Sequence, residues 1–235
     1  LDKFDKELEQ RGLHFVRYAD DCNIFVKSDV AAERVMKSVT SWLERKLFLK
    51  VSATKTKIVR PSNSNFLGFT FWKNKDKWQC KPGKDRKMKL YEKIKVILKR
   101  KRAVSKPLAK TFTKLNQIIK GWINYFKIGN MKGFLVEFGQ WLRHKVRVII
   151  IKQWKIPSRI YTNLQRLNKA FKCNFDDESI YDDGSIYDDE SIYKVANSRL
   201  GWYRRSSMDV VNYILSPKVL AQANKKKGRS GLANL

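Results

Sequence analysis

The spacing of apolar residues changes once along this 235-residue chain. Up to about residue 82, short β-prone runs alternate with helical stretches. Residues 1 to 10, LDKFDKELEQ, carry Leu1, Phe4 and Leu8 on one face and read as the end of a helix that Gly12 breaks. LHFVRY and CNIFVK follow, separated by Ala19, Asp20 and Asp21, which is a hairpin signature. Asp29 is placed to cap a helix running to about Lys46, with Val35, Val39, Trp42, Leu43 and Leu47 as its apolar stripe. Three more runs, LKVSA, KIVRP and NFLGFTFW, read as strands. A fourth, KWQCKP, is expected to pair with the third through the turn KNKDK.

After Pro82–Gly83 the period becomes helical. Four helices are expected. Residues 84 to 102 carry Met88, Tyr91, Ile94 and Leu98, and residues 108 to 127 carry Phe112, Leu115, Ile119, Trp122 and Phe126. Residues 131 to 154 carry Phe134, Phe138, Trp141, Leu142 and Ile149, and residues 158 to 171 carry Leu164, Leu167 and Phe171. Residues 176 to 193 are three copies of a six-residue unit, DDESIY, DDGSIY, DDESIY, too short for a helical solenoid and expected to form an acidic surface loop. The spacing of its acids does not fit a calcium loop. A short segment around ANSRLGWYRRSS, a final helix near Met208 to Ser216 and a flexible basic tail, ANKKKGRS, complete the pattern.

Charge changes this picture. Fifty-one Lys and Arg against 22 Asp and Glu give a net charge of +29. No fold requires that excess, and self-repulsion opposes it, so a polyanionic partner is implied. The excess is regional: residues 84 to 173 hold 25 basic residues and three acids, whereas residues 176 to 193 hold eight acids and no base. Cys22, Cys80 and Cys173 are too few and too scattered for a disulfide framework or a zinc site, and suit the cytoplasm. His14 and His144 are too separate for a metal pair. The longest aliphatic run, Val148 to Ile151, cannot cross a bilayer, so no membrane partner is expected.

The Asp20–Asp21 pair differs from the three later Asp-Asp pairs in its apolar flanks, which fix a hairpin and present the carboxylates at a defined place. Adjacent carboxylates on a tight turn supply part of the oxygen shell that magnesium takes, and two such ions can align a hydroxyl with a phosphoryl group. Neighbours in extended backbone point to opposite faces, so Asp20 is the expected main ligand and Asp21 the secondary one. A polar turn is the plainer reading of the dipeptide by itself.

The wider sequence favours the ligand reading. FVRYADD resembles the Tyr-Ala-Asp-Asp box of reverse transcriptases, specifically those encoded by bacterial group II introns. RYADDCNIFVKS, KTKIVRPSNSNFLGFTFWK, GWINYFKIG and FGQWLRHKVRVIIIKQWK resemble that family in its order, nearly throughout the chain except for the repeat and the tail. The resemblance implies an α+β fold class: a partial polymerase palm, an antiparallel hairpin plus helix, followed by an all-helical thumb and maturase (domain X) bundle. The implied divisions are palm at 1–82, thumb and maturase region at 83–175, acidic repeat loop at 176–193, and a C-terminal maturase segment with basic tail at 194–235. It implies Asp20 and Asp21 as catalytic metal ligands with Mg2+ as cofactor. Tyr18, Lys57, Phe66, Leu67 and Gly68 are implied in primer and template binding. The implied partners are group II intron RNA, a DNA primer or target, and deoxynucleoside triphosphates. The implied reaction is attack of a primer 3′-hydroxyl on a deoxynucleotide α-phosphate, beside assistance to splicing and retrohoming of a mobile intron.

One departure matters. The family's fingers and the strand with its other catalytic Asp lie upstream of the hairpin, and Asp2 and Asp5 do not fit that strand. The expectation is a C-terminal piece that does not polymerise by itself. Within the basic region, Lys99, Arg100, Lys101, Arg102, Tyr125, Arg143, Arg147 and Lys152 are expected RNA contacts, and Trp122 and Trp141 are expected core. Trp154 is a further aromatic able to stack on bases. No His/Cys cluster follows the maturase region, which suggests a type without an endonuclease. The alternatives are an RNA-binding splicing factor without polymerase activity or an inactive remnant. A generic DNA-binding protein has no helix-turn-helix or zinc signal behind it.

Overall fold

Phe4 and Leu8 on α1 (Asp2–Gln10) and Val39 on α2 (Asp29–Lys46) bury against a two-stranded hairpin, β1 (His14–Tyr18) and β2 (Asp21–Phe25). This arrangement is seen in a computed structural model, which describes residues 1–75, 77–174, 187–222 and Leu232. The described chain forms two units, Leu1–Asp85 and Arg86–Leu235.

In the first unit the strands alternate as a half-buried hairpin must. Phe15 pairs with Ile24 and Arg17 with Cys22 on the inner face, while Val16 and Tyr18 lie on the exposed one. Helix α2 spans the expected residues, but its cap is Ser28, whose Oγ accepts the Ala31 N–H at 3.2 Å; Asp29 instead opens the first turn. There its carboxylate suits the positive end of the helix, as Arg45 and Lys46 suit the other.

The runs at 49–53 and 57–61 form no strand. Phe48, at φ +54°, turns the chain out of α2, and Ile58 and Val59 stay exposed. Their β-propensity finds no partner, and propensity alone does not make a strand. NFLGFTFW is not one strand either. Leu67 (φ +52°) and Gly68 (φ +84°) fold it into a hairpin of β3 (Asn65–Phe66) and β4 (Phe69–Asn74). Strand β5 (Lys77–Pro82) pairs with β4 across the expected turn, Asn74 opposite Lys77, giving a three-stranded antiparallel sheet in the order β3-β4-β5.

The second unit is helical. The expected helix at 84–102 is two, α3 (Lys84–Ile97) and α4 (Arg100–Ala103); α5 (Leu108–Phe126), α6 (Lys132–Trp154) and α7 (Pro157–Asn174) come next. Leu90 and Ile94, Phe112 and Leu115, Phe138 and Leu142, and Ile160 and Leu164 bring these helices to one core. Met88, expected on the buried stripe of α3, is exposed, and Leu90 takes the buried position. Tyr91 meets Trp141 edge-on at 4.7 Å between ring centres, and Trp122, Trp141 and Trp154 all pack against the core.

The C-terminal part adds α8 (Asp189–Ala196), α9 (Trp202–Arg205), α10 (Asp209–Ile214) and α11 (Pro217–Gln222). The third repeat copy is therefore no loop. Asp188 caps α8 by accepting the Ser191 N–H at 2.9 Å, Asp189 accepts from Gln165, and Ile192 is wholly buried. Repeat residues 176 to 186 lie outside the described residues, as does the basic tail ANKKKGRS at 223–230. Beyond that tail, Leu232 is buried, and its N–H donates to Leu220 O at 3.0 Å. Cys22 and Cys80 form no disulfide among the described residues; the Cys173 and Phe171 side chains lie outside what is described.

Candidate nucleic-acid interface

Strands β1 and β2 are joined by Ala19 and Asp20, with Tyr18 opposite Asp21. Ala19 has φ +51°, a left-handed conformation that costs a residue with a Cβ about 1–2 kcal/mol. Arg17 offsets this. Its Nη1 donates to Ala19 O at 2.8 Å, and its Nε donates to Asp5 Oδ1 at 2.5 Å while Nη2 donates to Asp5 Oδ2. One guanidinium thus ties α1, β1 and the acidic turn together. Sequence reasoning missed this role, although the alternation of the strand puts Arg17 on the inner face with Phe15.

Tyr18, Asp20 and Asp21 are all exposed at this turn. The nearby carboxylate of Asp5 is not free to join them, because the Arg17 hydrogen bonds hold it below its ordinary value. Cys22 comes after Asp21, but burial pushes its thiol up to about 11, so it carries no charge at neutral pH. Among the described residues no group of three carboxylate, histidine or cysteine side chains is placed to hold a metal ion. Asp20 and Asp21 are two exposed carboxylates, and by themselves they do not fit a two-magnesium centre.

Lys57 is exposed in the irregular segment before the sheet. Phe66, Leu67 and Gly68 form one feature, the β3–β4 turn. Gly68 is buried, and its carbonyl accepts the Gly83 N–H at 2.8 Å, fixing the turn to the exit of β5. A Cβ on Gly83 would lie 3.1 Å from that same oxygen, so the close approach depends on glycine.

In the second unit, Lys99 to Arg102 are exposed around the start of α4. Gln153 on α6 secures this turn: its Nε2 lies within donating distance of Ala103 O, Val104 O and Lys106 O, at 3.2, 3.2 and 2.8 Å. Nothing in the sequence marked Gln153. Tyr125 is 54% exposed and leans edge-on against Phe126. Arg143 and Lys152 are half-buried on α6, and burial lowers the Arg143 pKa below its ordinary value.

Arg147 is a correction. Expected to contact RNA, it is only 8% exposed and is used inside the protein. It donates to Asn212 Oδ1 at 2.7 Å, to Leu215 O at 3.0 Å and to Asn212 O at 3.2 Å, satisfying carbonyls at the end of α10. Burial and the neighbouring Arg143 lower its pKa to about 10, so it remains charged. Helical spacing alone could not separate it from the half-buried Arg143 and Lys152 on the same helix.

The basic residues are thus spread over several elements of the second unit, and the acidic hairpin belongs to the first. No helix among the described residues is long and apolar enough to cross a membrane. The family model of the reverse transcriptase (RNA-dependent DNA polymerase) matches residues 1–71, covering the hairpin with Asp20 and Asp21. That of the group II intron, maturase-specific domain matches residues 87–168, from α3 into α7. Compared with curated proteins, the chain has no match. The two segments succeed one another without overlap and agree with the motifs each contains: the chain belongs to the group II intron reverse transcriptase and maturase family.

Proposed function

We propose that the chain is part of a protein that carries out RNA-directed DNA synthesis and intron RNA binding in a group II intron system, in the cytoplasm. The observation that carries this reading is the succession of a reverse transcriptase segment, with its acidic hairpin turn, and a basic maturase segment. Asp20 and Asp21 are assigned to magnesium, the hard cation such carboxylates suit, with the other ligands coming from outside the described residues. Tyr18 and Lys57 lie near the primer and template, and the turn at Phe66 to Gly68 supports the primer strand. The basic exterior of the second unit, with Lys99 to Arg102, Tyr125, Arg143 and Lys152, contacts intron RNA. Splicing assistance and insertion of the intron into DNA depend on that binding.

Two assays test it. Filter binding should show tighter association with structured intron RNA than with a scrambled RNA of the same composition. In a version that supplies the remaining metal ligands, Asp20→Ala should abolish primer extension by deoxynucleoside triphosphates while intron RNA affinity stays nearly unchanged. Retained extension by that variant overturns the assignment of Asp20.

A further inference from the structure

We propose that Tyr203, at the seam of α6 and α9, is a stacking platform for an unpaired nucleotide; this rests on the reading of the chain as an RNA-binding protein. Residues 187–222 lie beyond both matched segments. Tyr203 is 59% exposed, yet its ring is held. The His144 ring stands against it at 4.2 Å between centres and 76°, and the Lys145 ammonium lies 5.2 Å from the ring centre. His144 and Lys145 are consecutive on α6, so the tyrosine lies across that helix.

The support beneath it is also fixed. Arg205, 8% exposed, donates to Ser198 O and lies over Trp202 at 5.1 Å, and Ser206 Oγ donates to Tyr203 O at 2.8 Å. A ring already ordered by its neighbours loses little freedom when a base stacks on it. His144 Nε2 and Arg205 Nε are buried here without a hydrogen-bond partner among the described residues, as happens where a bound group or water completes a site.

The chemistry selects the ligand. Burial, with Lys145 and Arg147 nearby, lowers the His144 pKa, so that ring is neutral at neutral pH. Lys145 provides positive charge over a flat π surface, and the exposed Arg204 is the next residue in the chain after Tyr203. A simple anion would use the cations and not the ring; an apolar ligand would use the ring and not the cations. An unpaired nucleotide uses both, the base against Tyr203 and the phosphate at the cations, whereas duplex bases are already stacked.

The test uses the full chain with a short single-stranded RNA carrying one 2-aminopurine, the same strand as DNA, and a duplex RNA. Wild-type protein should quench the 2-aminopurine emission. Tyr203→Ser should weaken single-strand binding about tenfold, lose the quenching, and leave duplex binding and the salt dependence unchanged, since no charge is removed. Tyr203→Phe should retain both affinity and quenching. A thermal scan of Tyr203→Ser should show an intact cooperative transition. Tighter binding of the DNA strand than the RNA strand, with the same dependence on Tyr203, supports the platform and names DNA as its source. Equal affinity and quenching in Tyr203→Ser, or equal losses on single strand and duplex, overturns the platform while leaving RNA binding in place. Wild-type protein that binds neither strand nor duplex overturns both.

Discussion

The Arg147 guanidinium donates to Asn212 Oδ1 at 2.7 Å, joining α6 to α10 from 65 positions away in the chain. The same group satisfies two main-chain oxygens, Asn212 O and Leu215 O. Its positive charge therefore serves the fold. Arg147→Met should destabilise the protein by about 2–4 kcal/mol in denaturant titration, because buried carbonyls lose their donors. Arg147→Lys should recover little of that, since one ammonium does not reproduce the planar fork. Intron RNA affinity of the folded variants should be unchanged.

The third repeat copy supplies a second test. Asp188→Ala removes the α8 cap and should cost about 1 kcal/mol. Ile192→Ala removes a fully buried side chain and should cost about 2–5 kcal/mol. Both are read as shifts of the urea midpoint at constant slope.

Gly68→Ala places a Cβ at φ +84° in the β3–β4 turn. A loss of about 1 kcal/mol is expected, together with faster amide exchange at Gly83, whose N–H is bonded to Gly68 O. Unchanged exchange at Gly83 would contradict the role given to that turn.

The Arg17–Asp5 clamp gives a pH dependence. Asp5 is held below its ordinary value of 3.8 by Arg17, so its contribution is complete above that value and fades as pH falls through the lower folded value. Amide exchange at the hairpin should speed up in that acidic window, and Asp5→Asn should remove the pH dependence.

Much of this was legible in residue order, for identifiable reasons. Helix α2 and the β1–β2 hairpin could be read from strong periodicity between clear punctuation. The split of NFLGFTFW had a signal, a glycine inside a strand-like run, which marks a turn or bulge. The missing strands at 49–53 and 57–61 had none, because strand formation depends on partners that local sequence does not specify. The hexapeptide of the third repeat copy did not by itself announce a helix. The residues after it supply the anchor: Val195 and Ala196 are both buried. Charge identified a basic region but not which bases face outward, as Arg147 shows. The acidic pair was legible as a motif; that Asp5 is committed to Arg17 required coordinates.

The sharpest measurement is the affinity for group II intron RNA as a function of salt, for wild-type protein and for a variant with Lys99, Arg100, Lys101 and Arg102 all replaced by alanine. Log affinity should fall linearly with log salt, more steeply for wild type, and the slope should drop by about 0.7–0.9 for each phosphate that the variant no longer neutralises. A scrambled RNA should bind more weakly at every salt concentration. Identical affinities for intron and scrambled RNA, with a slope untouched by removal of the four charges, would show that these residues do not hold intron RNA.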